Sequence, residues 1–558
     1  MKGVSLHVHN FRSIEDVDIE LRPYSLLVGP NNSGKSNLIA AIRVFYEKGL
    51  KFEEQRDFPK FQTKDKESWI EIQYEPDQDE WSQLKNEYKL PDGTFRVRKY
   101  FKSEEKDDEG KKKEGIYAYI NEKLSGSRFY GAKNVQQGKL GDVIYIPAVS
   151  KLDEHTKLTG PSALRDLLNT VLKGVLASSS SYKELSSAFE EFEGKIKKKE
   201  SEEGHSLSRL EEHVSAELAE WGVKYELLIS PIQPPDIIKS LISHQIIDNV
   251  LETAQEPSAF GDGFQRQLIF TLIRLAAYYE PKKIPTAKKE FSPSFNWILF
   301  EEPEAFLHPS QIEVLDRNLR IFANADGQQV MISSHSPQFA SLNVEELPML
   351  IRLNREDVHT KVGQIRSVNL QNILTANQTC LSDLAAAGVQ ITSDDLCVDM
   401  ESIKYALWLN PLRSTSFFAQ RVLLVEGPSE RVLTAYLIAE EKLELPKGGI
   451  TVIDTMGKWN IHRFMNLLAE LRIPHAVLYD KDAGKPESPA LEKAIRNASN
   501  DFTRGVDFFD DDIEAFLGIQ KTRTDRKPQH LMWHLKQGKI DQDKLTKLCK
   551  KLQLLIDS

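Results

Sequence analysis

The sequence is poor in cysteine and has no long apolar run. Its 558 residues include 3 cysteines, Cys380, Cys397 and Cys549, whose spacing fits neither a metal site nor a disulfide framework. No stretch of eighteen apolar residues occurs, so no membrane-spanning helix is expected. The N-terminus, Met-Lys-Gly-Val-Ser-Leu-His, lacks the apolar core of a secretion signal. These absences predict a cytoplasmic protein with no membrane association.

The sequence also lacks an excess of positive charge. It holds 83 acidic and 73 basic residues, a formal net charge of −10, which argues against wholesale coating of nucleic acid. A local basic stripe would still be enough for binding, and the runs 195–199 and 521–527 are the candidates, although such runs are more often solvated surface. The length is enough for three or four domains with sizeable cores.

Carboxylates follow two apolar runs late in the chain. Residues 422–425 read as a buried parallel strand that ends in Glu426-Gly-Pro, a strand-to-helix turn. Glu426 then lies at the carboxyl end of a strand, where open α/β sheets bind their ligands, and Glu430 lies one helical turn further on. A second apolar run leads to Asp480 and Asp482, which share one face if the chain stays extended.

Acidic side chains gathered at one edge of a sheet repel one another unless a cation neutralises them. Oxygen-only ligands suit the hard ions Mg²⁺ or Mn²⁺. The pattern of strand-Glu-Gly followed by strand-Asp-x-Asp resembles the Toprim domain of topoisomerases, primases and certain nucleases. A topoisomerase needs a tyrosine on a separate DNA-gripping domain, for which the chain has no room, and a primase needs a zinc module upstream. The resemblance therefore favours a nuclease.

The N-terminal end carries a phosphate-binding pattern. Alternating apolar residues predict strands at 4–8, 17–21 and 25–28, and the third runs into Gly-Pro-Asn-Asn-Ser-Gly-Lys-Ser and then a helical pattern. Strand, glycine-rich loop and helix form the context that a P-loop requires. Lys35 would reach the β- and γ-phosphates of ATP, and Ser36 would hold Mg²⁺. The residues predicted to bind nucleotide here are Gly29, Asn31, Asn32, Ser33, Gly34, Lys35, Ser36 and Asn37.

Two further elements of an ATPase follow in the expected order. The apolar run 297–300 ends in Glu301 and Glu302, an arrangement in which the first acid helps hold Mg²⁺ and the second orients the attacking water. After the next predicted strand, 329–333, His335 is placed to reach the γ-phosphate. Each signal is weak alone, but in this order, downstream of a P-loop, the two are strong indications of an ATPase.

Between these elements the pattern changes to helices. Apolar stripes at helical spacing occur at 164–175, 185–196 and 207–221, and the polar segment 197–204 joins the last two. Helices with such stripes need apolar partners. They are expected to pack either on the same chain or on a partner subunit.

Taken together, residues 1–345 resemble the ATPase head of the ABC class, as in structural-maintenance and RecF-like proteins. The run Glu-Glu-Pro-Glu-x-x-Leu-His-Pro with a Toprim domain behind it is similar to the OLD (overcoming lysogenization defect) family of nucleases, which includes the Gabija nuclease subunit and retron-associated OLD nucleases. The resemblance covers essentially the whole chain and implies an α/β fold. It implies an ATPase in two parts, 1–150 and 236–370, a helical dimerisation insertion, 151–235, and a Toprim nuclease domain with a helical lead-in, 371–558.

The family motifs assign the remaining ATPase residues. They make Gly263 and Gln265 nucleotide-binding residues of the signature loop. They give the Mg²⁺ position to Glu301, the catalytic carboxylate to Glu302 and the switch histidine to His335.

The sequence departs from the ABC pattern at two positions. Glu301 replaces the usual aspartate, which OLD proteins tolerate. The signature loop has Asp262 and lacks the serine that touches the γ-phosphate across an ABC dimer. Because an acid there would repel phosphate, the resemblance favours slow hydrolysis or ATP binding as a switch. The Q-loop residue stays open between Gln62 and Gln73.

The family also places one more acid and a lysine after the Asp-x-Asp strand. Glu514 and Lys527 match these positions best, and Asp512 and Lys521 are the competitors. Asp454 ends another predicted strand, where it is either a site acid or a turn former.

The resemblance implies a two-metal DNA endonuclease gated by ATP, in which Lys527 adds positive charge at the transition state. The metal ligands it implies are Glu426, Asp480 and Asp482 for one ion and Glu430 and Glu514 for the second. The cofactors are then ATP and Mg²⁺ or Mn²⁺.

The implied setting is antiphage defence, with DNA as substrate and a homo-oligomer, dimer or tetramer, as the assembly. A helicase subunit or a retron reverse transcriptase with its RNA are the further partners that the family suggests. The competing hypothesis is a RecF/SMC-like DNA-binding ATPase with a non-catalytic Toprim domain. The complete set of acids favours the nuclease.

Overall fold

A computed structural model describes most of the chain outside the insertion. The described residues are 1–135, 140–148, 206–227, 245–248, 252–256, 259–279, 295–340, 344–386, 388–392, 398–482, 484–485 and 487–558, with positions 184, 187–188, 191, 291 and 293. The first two apolar stripes of the predicted insertion lie almost wholly outside these residues. The chain divides into two compact units, one made of residues 1–148 and 289–558 and the other of 149–288.

The secondary structure follows the predicted alternation of strands and helices. In chain order, the strands are β1 (Lys2–Phe11), β2 (Ile14–Glu20), β3 (Tyr24–Val28), β4 (Ser68–Glu75), β5 (Phe95–Lys102), β6 (Gly115–Ile120), β7 (Lys123–Arg128), β8 (Asp142–Ile146), β9 (Ile246–Asp248), β10 (Thr253–Gln255), β11 (Asn296–Glu301), β12 (Gln328–Ser333), β13 (Leu350–Glu356), β14 (His359–Gln364), β15 (Val422–Val425), β16 (Thr451–Asp454), β17 (His475–Asp480) and β18 (Thr503–Phe509). The α-helices span Lys35–Tyr46, Glu54–Asp57, Gln78–Gln83, Leu207–Glu217, Asp262–Tyr279, Pro309–Ala323, Ser367–Ala386, Val398–Trp408, Pro411–Ser414, Pro428–Ala439, Ile461–Glu470, Ser488–Asn497, Ile513–Leu517, Lys527–Lys536 and Gln542–Asp557.

The central sheet of the first unit has the strand order β14-β13-β3-β12-β11-β8. Its neighbouring strands pair in parallel, except that β14 pairs antiparallel with β13. Every residue of β3 and β12 is buried, which is typical of parallel strands covered on both faces. The carboxyl ends of β3, β11 and β12 therefore meet at one edge, the edge that the P-loop and the Glu301-Glu302 pair share.

An antiparallel sheet, in the order β2-β1-β4-β5-β6-β7, packs beside the central one. Leu6 and Val8 of β1 and Ile70 and Ile72 of β4 are fully buried, and they belong to one apolar cluster with the helix Lys35–Tyr46. The helix that follows the P-loop thus lies in the shared core of both sheets. This burial fixes the start of the helix, where the phosphate-binding loop ends.

The C-terminal sheet is parallel throughout, in the order β16-β15-β17-β18. Its core contains Leu423 of β15, Leu478 of β17 and residues of the helices Pro428–Ala439 and Gln542–Asp557. All strands run in the same direction, so the segments after β15, β16 and β17 emerge at one edge. That edge carries the acidic residues predicted from the sequence.

Within the first unit, the ATPase sheet contacts the loops that precede β15 and β17 of the C-terminal domain. A Cβ added to Gly363 in β14 would come within 2.4 Å of the carbonyl carbon of Leu471. In the next strand, Arg352 is 1% exposed and donates to the carbonyls of Ala419, Leu471 and Arg472 at 2.8, 3.3 and 3.1 Å. Burial lowers the pKa of Arg352 to about 10. The contact between β13–β14 and these loops is therefore close, and Arg352 makes it partly polar.

The described part of the second unit consists of short elements. The helix Leu207–Glu217 confirms the helical character of the third predicted stripe, and its apolar residue Leu210 is 49% exposed. The hairpin β9–β10 and the helix Asp262–Tyr279 complete the described elements. Among all described helices of the chain, none is both long enough and apolar enough to cross a membrane.

Candidate functional site

The loop after β3 has the backbone geometry of a phosphate-binding loop. Gly29 and Gly34 adopt φ values of 134° and 107°, which favour glycine. A Cβ on Gly29 would lie 2.0 Å from the carbonyl oxygen of Leu353, and a Cβ on Gly34 would lie 2.3 Å from Oγ1 of Thr360. Both glycines of the motif are thus required by conformation and by space, and β13–β14 form the wall behind the loop.

Lys35 is buried at the first position of the helix that follows this loop. Its Nζ donates to the carbonyls of Gly29 and Pro30, both at 2.9 Å. Burial lowers the pKa of Lys35 to about 8, against the opposing effect of Glu302 and Glu304. The ammonium group is therefore held inside the curve of the loop and faces the acids that follow β11.

The other P-loop residues divide by exposure. Asn31, Asn32 and Ser36 are exposed at the mouth of the loop, where a ligand could reach them, and Ser33 is buried. Asn37 donates through Nδ2 to the Ser13 hydroxyl at 2.7 Å and accepts from Arg12 at 3.3 Å. The side chain of Asn37 thus ties the helix to the β1–β2 turn.

Glu301 and Glu302 lie at the end of β11, as the sequence predicts. Glu301 accepts a hydrogen bond from the hydroxyl of Tyr145 at 3.2 Å. Glu302 has a left-handed backbone, φ 44°, and its N–H donates to the Ser333 carbonyl at 2.8 Å. Nε2 of His335 lies 3.9 Å from Oε1 of Glu302. The structure therefore brings together the P-loop lysine, the second acid and the histidine.

Glu304 is a part of this site that the sequence analysis passed over. Its carboxylate accepts from the Ser334 hydroxyl at 2.9 Å and from the His335 backbone N–H at 2.6 Å. Burial raises the pKa of Glu304. The residue fixes the loop that carries His335. In the sequence, Glu304 could have been recognised as the third acid of the Glu-Glu-Pro-Glu run.

The signature residues lie in the second unit, at the start of the helix Asp262–Tyr279. Asp262 is exposed in the first turn, and Gly263 and Gln265 are half-buried. Nε2 of Gln265 donates to the carbonyl of Phe260 at 2.6 Å, which fixes the loop before the helix. The predicted loop-to-helix transition is present.

In the C-terminal domain, the two predicted acid-bearing strands are neighbours. Strand β15 pairs with β17 in parallel, so Glu426 and Asp480 meet at the same sheet edge. The backbone N–H of Asp480 donates to Oε2 of Glu426 at 3.2 Å. Glu430 lies in the first turn of the helix Pro428–Ala439, where it accepts from the N–H of Gly427 at 2.9 Å.

The electrostatics show how closely these acids are crowded. Burial first, and then the charges of Glu430, Glu426, Asp512 and Asp482, raise the pKa of Asp480 to about 9. Burial and the neighbouring acids also raise the pKa of Glu430 to about 7. Carboxyl groups with such raised pKa values favour a bound proton or a bound cation at neutral pH.

Glu514 and Lys527 occupy the positions predicted for the last acid and the lysine. Glu514 is 1% exposed, and neither of its carboxylate oxygens accepts a hydrogen bond from any described residue. Nζ of Lys527 lies 3.6 Å from Oε2 of Glu514. The competitors are paired with each other, since Lys521 lies 2.9 Å from Asp512, which also caps the helix Ile513–Leu517.

Asp482 reaches the site by a different route from the one predicted. Strand β17 ends at Asp480, and Asp482 has a left-handed backbone with φ 52°. The sequence predicts that Asp482 shares a face with Asp480 along an extended strand. Because the extended conformation ends before Asp482, that prediction was wrong. Its N–H donates to the Asp511 carbonyl at 3.3 Å and its carboxylate accepts from Lys485 at 2.8 Å.

Lys458 is a second residue that the sequence analysis missed. It is 3% exposed, and its Nζ donates to the Lys481 carbonyl at 2.8 Å and to the Ser488 hydroxyl at 2.7 Å. The preceding residue, Gly457, donates its N–H to the Glu426 carbonyl at 2.8 Å. One short loop after β16 thus braces both acid-bearing strand ends. The peptide between Asp480 and Asp482 is held by this lysine.

Asp454 has a structural role. It accepts from Arg413 at 2.6 Å and from Arg431 at 2.9 Å, and these partners lower its pKa against the effect of burial. The carboxylate is already neutralised at the end of β16, so it is neither a simple turn former nor a spare ligand.

The donor set fits a divalent metal ion by its chemistry. Among the described residues, no group of three or more acidic, histidine or cysteine side chains is already arranged to hold an ion. The buried Glu514 carboxylate nevertheless lacks a hydrogen-bond donor within the described part of the chain, and Asp480 and Glu430 are crowded by like charge. Oxygen donors in this condition are what Mg²⁺ and Mn²⁺ bind.

Fold and site together define an ATPase joined to a Toprim domain. The chain belongs to the AAA ATPase domain family, whose model matches residues 1–340. Residues 417–482 match the Toprim domain of proteins like the overcoming lysogenization defect protein. The OLD-family resemblance and the predicted fold class are thereby confirmed, and the chain is an ATPase-linked nuclease.

Curated relatives match most of the chain at modest identity. The Old nuclease of Escherichia phage P2 is 24% identical over 502 residues, 86% of this chain and 77% of that protein. The OLD nuclease of Thermus scotoductus is 22% identical over 504 residues, 88% of this chain and 84% of that protein. The endonuclease GajA of Bacillus cereus (strain VD045) is 25% identical over 507 residues, 86% of this chain and 75% of that protein.

Proposed function

We propose that this chain is a divalent-metal-dependent DNA endonuclease whose ATPase domain controls cleavage. The observation that carries the proposal is the crowding of buried carboxylates at the ends of β15 and β17, where the pKa of Asp480 is raised to about 9 by burial and by like charge. Such crowding costs folding free energy unless positive charge binds there in the working state. The nuclease relatives support DNA as the substrate.

The chain's own contribution is to hold the ligands and to place a fixed cation. Bound Mg²⁺ or Mn²⁺ would lower the pKa of an attacking water and neutralise charge on the leaving 3′-oxygen. Lys527, beside Glu514, would add positive charge next to the phosphate in the transition state. The residues that would hold the ions are Glu426, Asp480 and Asp482 for one site and Glu430 and Glu514 for the other.

In the ATPase domain, Lys35 and Ser36 would bind the phosphates and Mg²⁺ of ATP, with Glu301 as a second carboxylate for that ion. Glu302 and His335, 3.9 Å apart, would face the γ-phosphate. Gly263 and Gln265, in the signature loop, would provide a second contact with the nucleotide. Because Asp262 puts an acid in the signature loop, we expect slow hydrolysis, with ATP acting as a switch.

We further propose a homo-oligomer, dimer or tetramer, that acts in antiphage defence. The exposed Leu210 on the helix Leu207–Glu217 supports an apolar partner for this region. A helicase subunit or a reverse transcriptase with its RNA would be further partners. The acids that the sequence offers for two metal sites support a catalytic Toprim domain over the alternative of a non-catalytic one.

The test is cleavage of supercoiled plasmid by the purified protein in Mg²⁺ or Mn²⁺, with and without ATP. We expect nicking and linearisation that chelator abolishes and that Asp480→Asn reduces by roughly a thousandfold or more. The matched control is Asp510→Asn, because Asp510 lies near the site but has a side chain that is 93% exposed. Wild-type cleavage by folded Asp480→Asn protein would reject the proposed site.

A further inference from the structure

The helix Lys527–Lys536 starts at the acidic site and carries no acidic residue. Nζ of Lys527 lies 3.6 Å from Glu514, so the first turn of the helix touches the proposed cleavage centre. From Arg526 to Ile540 the chain has four basic residues and two histidines but neither aspartate nor glutamate, although acidic residues outnumber basic ones in the whole sequence, 83 to 73. This segment is therefore a local basic surface on an acidic protein.

One side of this helix is packed and the other is open. Leu531 and Leu535 are buried in the apolar cluster of the C-terminal domain. The helical period places Arg526, Trp533 and Lys536 on the side away from these leucines. Trp533 is 48% exposed, which is unusual for so large an apolar side chain beside a functional site.

The exposed indole contacts one cation, Lys539, and one imidazole, His534. Nζ of Lys539 lies 3.9 Å from the ring centroid of Trp533, and the ring of His534 meets the indole edge-on with centroids 4.9 Å apart. Nε2 of His534 lies 3.2 Å from Nε2 of His530, one turn closer to Lys527. Lys539 is fixed in turn, because its N–H donates to the His534 carbonyl at 3.0 Å.

We infer that this surface, defined by Arg526, His530, Trp533, Lys536 and Lys539, binds one strand of DNA beside the cleavage centre. A base would stack on the open face of the Trp533 indole, and the lysines and the arginine would contact the flanking phosphates. Trp533 lies six positions after Lys527, a rise of about 9 Å along the helix. At 3.4 Å per nucleotide this is a span of about two to three nucleotides. The inference rests on the proposed nuclease function and adds the path of its substrate.

The test is fluorescence anisotropy of a labelled single-stranded 20-mer with the full-length protein in chelator, where no cleavage occurs. We expect Trp533→Ala to weaken binding about tenfold and Trp533→Phe to retain most of it, since phenylalanine keeps a stacking face. The double variant Lys536→Glu with Lys539→Glu should weaken binding and reduce its salt dependence. The control, Lys547→Glu, reverses an exposed charge on the helix Gln542–Asp557 and should match the wild type.

A second substrate separates this inference from the proposed function. Bis(4-nitrophenyl) phosphate is too small to reach Trp533 from the acids, so Trp533→Ala should hydrolyse it at the wild-type rate. Hydrolysis by the wild type with unchanged DNA binding by Trp533→Ala would overturn the inference alone. Absence of metal-dependent hydrolysis and of plasmid cleavage in the wild type would instead reject the nuclease site. If the charge reversals abolish binding of polyglutamate but leave DNA binding intact, the surface belongs to an acidic protein partner and the inference fails.

Discussion

The carboxylate of Glu426 accepts a hydrogen bond from the backbone N–H of Asp480 at 3.2 Å. The two acids stand at the ends of adjacent parallel strands, and this bond sets their relative position through the backbone of one and the side chain of the other. The acid pair is therefore aligned by the sheet itself. The charges of the acids remain crowded, and this crowding lowers the folding stability of the metal-free protein.

The metal-free protein should become less stable as pH rises. The pKa of Asp480 is 3.8 for the ordinary side chain and about 9 in the fold, raised by burial and by neighbouring acids. Between these values the folded state keeps a proton that the unfolded state has lost, so the free energy of unfolding falls with rising pH. Glu430, raised to about 7, acts in the same direction. Thermal melts in chelator between about pH 5 and about pH 9 should show this fall, with a smaller slope for Asp480→Asn. Equal slopes would contradict the crowding.

Lys458→Met should slow DNA cleavage by about a hundredfold, because positioning of reacting groups depends on fixed supports. The lysine braces the peptide between Asp480 and Asp482 through the Lys481 carbonyl. We expect kcat to fall and the Mn²⁺ concentration for half-maximal rate to rise, with partial rescue by Lys458→Arg. The control is Lys493→Met, which removes an exposed lysine paired with Asp383. If Lys458→Met changes only the melting temperature, the residue has no positioning role.

Lys35→Ala should abolish ATP binding measured by calorimetry, because the buried ammonium group is the main positive charge inside the loop. The same variant should retain metal-dependent cleavage and lose its response to ATP, since phosphodiester hydrolysis is assigned to the other domain. A folded Lys35→Ala protein that is as inactive on plasmid as Asp480→Asn would mean that ATP is required for the chemistry.

Arg352→Gln should uncouple the two domains. Arg352 lies in β13, which pairs with the P-loop strand β3, and it donates to three carbonyls of the C-terminal domain. Loss of these charged hydrogen bonds should cost about 2–4 kcal/mol of stability. ATP should still bind by calorimetry but no longer change the cleavage rate. The exposed Arg355→Gln in the same strand is the control, and a full ATP response in Arg352→Gln would argue for another route.

Light scattering should give the mass of a dimer or a larger even assembly at micromolar protein concentration. The reason is the proposed homo-oligomer, which is supported by the exposure of Leu210 on the helix Leu207–Glu217 in the single chain. Leu210→Glu should reduce the mass if this helix forms the contact. A monomer with and without ATP would contradict the prediction.

Local sequence patterns predicted much of the fold. Period-two alternation located strands β1 and β2, an uninterrupted apolar run located β15, and the glycine-rich loop located the helix start at Lys35. Contacts between side chains from distant segments were harder to predict. Lys458 reaches the acidic site because β16 lies beside β15 in the sheet, an order that spacing along the chain does not encode. Asp482 was misjudged because a left-handed residue ends the extended conformation, and Glu304 because its donors, Ser334 and His335, follow a different strand.

The contact of Gly363 with Leu471 limits how this protein can be recombined. No side chain fits between the two backbones at this position, so the ATPase strand β14 and the loop before β17 must have closely complementary shapes. A Toprim domain taken from a relative would carry its own version of that loop. A chimera joined in the helical lead-in would thus have a steric mismatch between β14 and the loop before β17, far from the junction. A domain exchange between relatives must therefore include residues 350–364 together with the C-terminal domain.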